Sequence, residues 1–290
     1  METSPPSRNL YDRFFRQVFS ISEAARDYCL KFLEPEILQW LDLATLEPEK
    51  NDFVDERMVE AFSDVSYRCS LKNVEGQEVR VSFLFEHKSE REDFPHVQLL
   101  KYIVRRMEED LAQKRPLRLT VPIVVYHGEA AWESKPLHGY FPSLPAEFRR
   151  YLPEFDYGLT DLTTMPREVI VQAIEGTILA NALLALKYGR DWGFVKAHFN
   201  ETFIFGQAIL KTPEGKYFRR IFAIYFTYLF QKKEDFMEMV QQMPLQTGQS
   251  FKSVAEQLIE EGMEKGIKRG MEKGIEKMLL RGFPAQEVAE

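Results

Sequence analysis

The sequence predicts an α/β fold in which helices pack against a small mixed sheet. Apolar residues recur at three- and four-residue spacing in some segments, they alternate with polar residues in others, and one later segment is a continuous β-branched run. In chain order these patterns give a helix, two strands, a helix and a strand, an order typical of layered α/β domains. The chain has 290 residues, 44% of them hydrophobic, which is enough for a buried core.

The first predicted element is an amphipathic helix over residues 10–32, where apolar side chains such as Phe14 form one stripe. Pro35 ends this pattern, because the residue before a proline avoids the helical region. A short helix over residues 36–41 and a short strand near residues 45–54 are expected next.

Two strands are predicted over residues 64–71 and 79–86. The first alternates throughout, whereas the second begins with alternation and ends as a continuous apolar run, as expected for a strand that enters the core. Residues 72–78, which include Gly76, form a turn between them. The two strands should therefore pair antiparallel.

A helix over residues 97–113 and a strand over residues 119–126 complete the predicted α/β part. The helix has one apolar stripe, and the strand is rich in β-branched residues. Pro122 lies inside that strand and cannot donate a backbone hydrogen bond, which places it near a sheet edge or a bulge.

The patterns divide the chain into three regions: an α/β core over 8–128, a helical extension packed on it over 129–247, and a tail over 251–290. Helical patterns over 169–187 and 216–230 support the extension. A linker is expected at 248–250, where the sequence reads Gly-Gln-Ser.

The tail carries glycine at every fourth position, at Gly262, Gly266, Gly270 and Gly274. A glycine inside a helix costs about 1 kcal/mol relative to alanine, so the tail is a poor helix alone. Two interpretations remain open. The tail pairs with a second copy and makes a homo-oligomer, or it is a solvated and frayed chain end.

Composition excludes several classes of protein. No apolar run approaches the roughly 20 residues of a membrane helix, and the first residues lack the apolar region of a secretion signal. Cys29 and Cys69 are read as reduced packing residues. A cytoplasmic protein without membrane contact is expected.

The formal net charge of −7 does not by itself indicate a nucleic-acid-binding protein. Lys101, Arg105 and Arg106 are clustered nevertheless, and a local basic face can coexist with an acidic whole. These residues are candidate DNA contacts, with ordinary solvated charges as the alternative.

Chemistry is predicted at the ends of the strand pair. Glu86 and Lys88 are two residues apart, so they point to the same side of an extended strand while His87 points away. The antiparallel turn brings Asp64 near Glu86. The residues before Glu86 are strongly apolar, which indicates that the strand emerges from a buried core at Glu86 and Lys88 and is not a solvent-exposed strand. Charges at strand ends also arise without function, and that alternative remains open.

Two close carboxylates repel each other unless a cation lies between them. Mg²⁺ is the expected occupant, with Asp64 and Glu86 as its ligands, because it prefers oxygen donors and retains several waters. Lys88 can orient an attacking water or stabilise developing charge. These parts suit the hydrolysis of a phosphodiester bond. Gln98 and Tyr102, four residues apart on the following helix, share one face near the site.

The sequence resembles the recombination-promoting nuclease and putative transposase family of bacteria, within the PD-(D/E)xK nuclease superfamily. The resemblance covers about residues 8–240, and the tail repeats are a further match. The matching segments are Tyr11–Arg16, Phe53–Glu56, Ser63–Arg68, Phe85–Ser89, Gln98–Tyr102 and Pro122–Gly128.

The resemblance implies a restriction-endonuclease-like core, DNA cleavage that depends on a divalent metal (Mg²⁺, or Mn²⁺ or Ca²⁺), and a role in recombination. It implies that Asp64 and Glu86 bind the metal and that Lys88 assists the water. Many members carry glutamine at the position of Lys88, so the lysine here favours an intact site.

The resemblance also implies auxiliary residues. Gln98 and Tyr102 match a helical Gln-x-x-x-Tyr element of some branches. Asp12 lies on the first helix, where some related nucleases place an extra acidic ligand, and a solvated charge near a helix start is the alternative.

Two other functions remain open. The chain could keep a nuclease fold without activity and bind nucleic acid or a protein as a regulator. The other is a transposase with three catalytic carboxylates, but no suitable third acid follows in this sequence in an evident strand–helix context.

His127 is expected to be structural, and Asp161 is expected to be a turn or cap residue.

Overall fold

The computed structural model describes residues 8–49, 63–74, 76, 78–86, 94–128, 130–132, 135–174, 176–230, 233–245, 247–253, 256–257 and 260. These residues form a five-stranded mixed sheet flanked by helices, followed by a helical C-terminal region. The predicted α/β class is confirmed.

The strands are β1 (Leu41–Pro48), β2 (Ser63–Leu71), β3 (Glu78–Glu86), β4 (Leu119–Tyr126) and β5 (Gly158–Asp161). The helices up to β4 are α1 (Arg8–Phe19), α2 (Ser22–Phe32), α3 (Pro35–Leu38) and α4 (Pro95–Ala112). Two short 3₁₀ helices, Leu137–Tyr140 and Ala146–Tyr151, lie between β4 and β5. The later helices are α5 (Arg167–Ile174), α6 (Ile178–Tyr188), α7 (Trp192–Thr202), α8 (Gln207–Lys211), α9 (Pro213–Phe230) and α10 (Lys233–Gln242).

The strands lie in the order β1-β2-β3-β4-β5. β1, β2 and β3 pair antiparallel, whereas β3, β4 and β5 run parallel, with α4 as the crossover between β3 and β4. Consequently β2 begins at the end of the sheet where β3, β4 and β5 finish. We call this end the carboxyl rim, and it is marked by Asp64, Glu86, Tyr126 and Asp161.

The predicted strand pair and the helix and strand after it are confirmed with shifts of at most two residues at their ends. Pro122 occupies the position expected for a proline near a sheet edge. β5 pairs with β4 only from Ile123 onward, opposite Gly158, so Pro122 lies just before this pairing begins.

The single helix predicted over residues 10–32 is wrong, because α1 and α2 are separate. Ile21 has an extended backbone (φ −83°, ψ 111°), and the Ser20 hydroxyl donates to the Arg16 carbonyl at 2.6 Å. The short helix expected over 36–41 is also shorter than predicted, since β1 already begins at Leu41. The strand expected near 45–54 therefore begins earlier, and its predicted last residues lie outside the described part of the chain.

The linker predicted at 248–250 is wrong, because residues 247–253 are helical. Phe251 is fully buried, and its ring lies 5.0 Å from that of Phe205 and 5.7 Å from that of Phe222. The helical pattern over 169–187 divides at Gly176, whose φ of +76° ends the first helix. Residues 261–290, with the glycine repeats, lie outside the described residues, so self-association through the tail stays a prediction.

Helices cover both faces of the sheet. On one face the Tyr67 hydroxyl donates to the Phe19 carbonyl at 2.6 Å, which fixes α1 against β2. The large hydrophobic cluster on this face also includes the C-terminal helices, and the rings of Phe14 and Tyr225 stack at 4.1 Å. On the other face α4 packs through a smaller cluster of Leu99, Tyr102, Val124 and Tyr126.

Cys29 and Cys69 are buried free thiols, as predicted for packing residues. Among the described helices, none has the length and apolar character that crossing a bilayer requires.

Candidate functional site

The register between β2 and β3 determines where the predicted carboxylates lie on the sheet. Asp64 pairs with Leu84, and Leu84 is two residues before Glu86 on β3. Because alternate positions share a face, positions 64 and 86 lie on the same face of the sheet, one step apart at the carboxyl rim. For both residues the structure describes the backbone alone, and Lys88 lies outside the described residues.

The face that carries positions 64 and 86 is the face covered by α4. Ser66 and Ser82 belong to it, and both contact the Tyr102 hydroxyl, at oxygen–oxygen distances of 3.0 Å and 3.2 Å. The two serine hydroxyls lie 3.1 Å apart. A hydroxyl can donate and accept at once, so this buried trio satisfies its members and fixes α4 over β2 and β3.

Gln98 lies one helical turn before Tyr102, and therefore nearer the carboxyl rim, where α4 begins. Its Oε1 atom is buried and has no hydrogen-bond partner among the described residues. An unsatisfied buried carbonyl costs about 1–3 kcal/mol, and such atoms are found where a water, an ion or a substrate is bound. The structure thus brings the predicted auxiliary pair, Gln98 and Tyr102, to the face of positions 64 and 86.

The N-terminal half of α1 also reaches the carboxyl rim. The Tyr11 ring lies 5.6 Å from the ring of His127, the residue that follows β4. His127 is 4% exposed. The predicted auxiliary residue Asp12 is the neighbour of Tyr11 and is half-buried. This helix lies on the face opposite α4, so Asp12 is separated by the sheet from Gln98 and Tyr102.

Asp161 has the turn role that the sequence predicts. Its carboxylate accepts hydrogen bonds from the backbone amides of Thr163 and Trp132, both at 2.8 Å. It holds the turn after β5 and the segment after β4 together.

The three predicted DNA contacts have different environments. Lys101 is exposed on α4. The Arg105 guanidinium lies 3.8 Å from the Glu109 carboxylate. Arg106 is 5% exposed, and its guanidinium pairs with Glu49 at 2.9 Å and with Glu109 at 2.8 Å. Burial therefore withdraws Arg106 from a DNA phosphate, because its charge is neutralised inside the protein.

Arg106 is buried because it belongs to a network of buried charges, which the sequence patterns did not predict. Arg80 is fully buried and pairs with Glu49 at 2.6 Å and with Asp110 at 3.0 Å. Arg118 also pairs with both carboxylates. The network lies near the starts of β3 and β4, at the end of the sheet opposite the carboxyl rim. The signal in the sequence was Arg80 between Val79 and Val81, on a strand that continues into an apolar run.

The network shifts the titration of its acids. Burial alone would raise the pKa of Asp110, but the hydrogen bonds and charges of Arg118 and Arg80 outweigh it and lower the pKa to about 2. The pKa of Glu49 is lowered in the same way, with Arg80 as the main partner that offsets burial. Both carboxylates are therefore ionised at neutral pH and serve the structure.

Within the described side chains, no group of three or more His, Cys, Asp or Glu residues is placed to hold a metal ion. The side chains of Asp64 and Glu86 are not among those described, so the predicted ligand set stays a prediction.

A family model described as "Putative transposase, YhgA-like" matches residues 9–206. The chain belongs to this family. The match includes every strand of the sheet, the register that sets positions 64 and 86, and all of α4. The recombination-promoting nuclease and putative transposase resemblance that the sequence motifs carry is thereby confirmed.

Curated relatives of this YhgA-like chain include recombination-promoting nucleases of Escherichia coli strain K12. RpnC is 27% identical over 168 residues, which cover 58% of the chain and 55% of RpnC. RpnA is 26% identical over 271 residues, which cover 90% of the chain and 86% of RpnA. The inactive recombination-promoting nuclease-like protein RpnE is 24% identical over 172 residues, with 59% of the chain and 56% of RpnE covered. The chain thus spans little more than half the length of RpnC and RpnE, and no solved structure matches it.

Proposed function

We propose that this protein is a metal-dependent DNA endonuclease that hydrolyses phosphodiester bonds and serves DNA recombination. The observation that supports it most is the register that puts positions 64 and 86 on one face of the sheet, at the rim. Relatives named recombination-promoting nucleases support the reaction class and the DNA substrate.

The site is proposed to consist of Asp64, Glu86 and Lys88. The two carboxylates are oxygen donors of the kind that Mg²⁺, Mn²⁺ and Ca²⁺ prefer. The buried Gln98 Oε1 atom fits the same site, because it is a further oxygen without a protein partner among the described residues. A bound divalent ion supplies charge neutralisation at the phosphate and a more acidic water.

Each protein group has its own task in this proposal. Asp64 and Glu86 hold the ion and keep it at the rim. Lys88, two residues beyond Glu86, orients the attacking water or neutralises charge that develops on the phosphate. Tyr102, tied to Ser66 and Ser82, keeps α4 and Gln98 in register with the carboxylates. Asp12 approaches from α1 as an auxiliary acid.

DNA contact outside the site is proposed for the exposed end of the basic cluster. Lys101 lies one residue before Tyr102 on α4 and is exposed. Arg105 is one turn further along and shares its charge with Glu109. Since Arg106 is buried in the charge network, the contact with phosphate rests on Lys101 and, to a lesser extent, Arg105.

One alternative is favoured by a specific finding. The relative RpnE is named an inactive nuclease-like protein, so a chain similar to this one is described as lacking the activity. A catalytically inactive regulator that binds nucleic acid or protein is therefore the second candidate function.

The direct experiment incubates purified full-length protein with supercoiled plasmid in the presence of Mg²⁺, Mn²⁺, Ca²⁺ or EDTA. An endonuclease nicks the plasmid to the relaxed and linear forms with at least one of the cations and leaves it intact with EDTA. An inactive regulator leaves the plasmid uncut under all four conditions, and a gel-shift assay then separates a regulator that binds nucleic acid from one that binds protein.

A further inference from the structure

A group of aromatic side chains lies beside the carboxyl rim and has no task in the proposed cleavage reaction. Phe94, directly before α4, is 52% exposed, and Phe141, directly after the first 3₁₀ helix, is 47% exposed. The Tyr140 ring lies 5.3 Å from that of Phe94. We call Phe94, Tyr140 and Phe141 the aromatic shelf.

The shelf is built on a buried aromatic base. His96 is 3% exposed, and its ring lies 5.7 Å from Tyr140, 5.5 Å from Phe155 and 5.4 Å from Tyr157. The Trp132 indole donates to the Tyr157 hydroxyl at 3.0 Å. Tyr140 is therefore packed on the buried His96 ring, and the exposed Phe94 ring packs on Tyr140.

The segment that carries Tyr140 and Phe141 is also stiff. Between β4 and β5 the chain contains Pro136, Pro142, Pro145 and Pro153. Each proline fixes its own backbone φ angle, so the free segment has fewer conformations. Less conformational entropy is therefore lost when a ligand binds to the rings. A preformed apolar surface of this kind is suited to binding a flat partner.

Cations accompany the rings. The Lys135 ammonium lies 4.1 Å from the centre of the Tyr140 ring. Lys135 lies over one face of the Tyr140 ring, where its charge is available to a phosphate, and the more exposed rings of Phe94 and Phe141 are available to bases. Outside the shelf, later in the same segment, the Arg150 guanidinium carbon lies 5.8 Å from the centre of the Tyr151 ring, which is 78% exposed.

The net charge of the segment between β4 and β5 does not favour the binding of nucleic acid. The segment contains five acids and three bases: Glu129, Glu133, Glu147, Glu154 and Asp156, against Lys135, Arg149 and Arg150. This net negative charge gives no general attraction for duplex DNA or for a single strand, because both are polyanions. Binding is therefore expected to come from ring stacking and from the local charge of Lys135.

We propose that the aromatic shelf stacks the unpaired bases of a DNA strand, so that the rim acts on single-stranded or locally unpaired DNA. The inference rests on the proposed nuclease function and specifies its substrate. In a duplex the faces of the bases are covered by neighbouring pairs, whereas unpaired bases are free to stack on aromatic side chains. Phe94 follows Glu86 by eight residues, which span at most about 29 Å when extended, a distance of a few nucleotides.

Binding measurements in EDTA test the shelf without cleavage. The probes are a fluorescein-labelled single strand and the same strand annealed to its complement, and the readout is anisotropy with full-length protein. We expect tighter binding of the single strand. Phe94→Ala and Phe141→Ala should each weaken it about fivefold or more, since stacking contributes about 1–3 kcal/mol per base. Phe94→Trp should retain it.

Tyr228→Ala is the matched control, because Tyr228 is an aromatic residue of α9 with 65% exposure away from the shelf. It should leave binding unchanged. Equal binding of single strand and duplex, or shelf variants that bind like the wild type, would overturn the inference. Absence of any strand binding would overturn it too and would leave a protein partner as the occupant of the shelf.

The two proposals fail in different ways. If the shelf variants lose strand binding and the wild type does not cleave plasmid with any cation, base stacking on the shelf is supported and the nuclease activity is refuted. If the shelf variants still cleave plasmid and bind the strand like the wild type, the nuclease activity is supported and base stacking on the shelf is refuted.

Discussion

Arg80 and Asp110 form an ion pair in which both side chains are completely buried, with 3.0 Å between the Arg80 Nη2 and Asp110 Oδ1 atoms. The pair joins the start of β3 to the end of α4. Burying two charges costs more free energy than their attraction contributes, unless each charge keeps its opposite partner. The pair therefore makes the position of α4 on the sheet dependent on a complete set of charges.

Asp110→Asn should destabilise the protein by about 3–5 kcal/mol, because it leaves Arg80 with less compensation inside the core. Urea unfolding followed by circular dichroism measures the change. Glu47→Gln is the control, since the Glu47–Arg68 pair is exposed and such pairs contribute at most about 1 kcal/mol. Similar losses in the two variants would contradict the account.

The same network predicts loss of stability in acid. The pKa of Asp110 is lowered to about 2 in the folded protein, below its ordinary value of 3.8. A carboxylate whose pKa is lower in the folded than in the unfolded protein stabilises the folded state at pH values above its unfolded pKa. This contribution is lost as the pH falls from about 4 toward 2. Unfolding free energies across this window should fall for the wild type and change less for Asp110→Asn. Parallel curves would show that Asp110 is not the titrating group.

The hydroxyl trio should couple Tyr102 to β2. Tyr102→Phe removes one hydroxyl from a satisfied set and should cost about 1 kcal/mol of unfolding free energy. Combined with Ser66→Ala, it should cost less than the sum of the two single changes, because both remove the same hydrogen bond. Strict additivity in this double-mutant cycle would show that the hydroxyls act independently.

The basic cluster of α4 should divide into a binding residue and a structural residue. Lys101→Gln should weaken DNA binding and reduce the slope of log affinity against log salt by about 0.9, the value for one phosphate contact. Arg106→Gln should instead lower stability, because Arg106 pairs with Glu49 and Glu109. Anisotropy titrations at several salt concentrations, beside urea unfolding, separate the two effects. A larger salt effect for Arg106→Gln would reverse this assignment.

The sequence predicted the sheet where periodicity was long. β2, β3, α4 and β4 each show a clear pattern over eight or more residues, and all four are confirmed. β5 was missed because its four residues, Gly158–Asp161, are too few for a pattern, and pairing with β4 makes them a strand. The break at Ser20 and Ile21 was missed because the apolar stripe continues across it without a proline or glycine.

The candidate site was predictable in part. Motif spacing located Asp64 and Glu86, and the register puts their positions on one face. The burial of Arg106 was not predictable, because its partner Glu49 is far from it in the sequence and is brought near by β1. The aromatic shelf was not predictable for the same reason, since the contact of Phe94 with Tyr140 depends on tertiary packing.

Asp64 and Glu86 are proposed to form the metal site of a nuclease, and the decisive measurement is the rate at which Glu86→Gln nicks plasmid with Mg²⁺. Glu78→Gln, at the opposite end of the same strand, is the control. We predict that Glu86→Gln lowers the rate at least about 100-fold, as loss of transition-state charge stabilisation does, while Glu78→Gln cuts like the wild type. A Glu86→Gln variant that is folded and nicks plasmid at the wild-type rate would show that Glu86 is not a ligand of a catalytic metal.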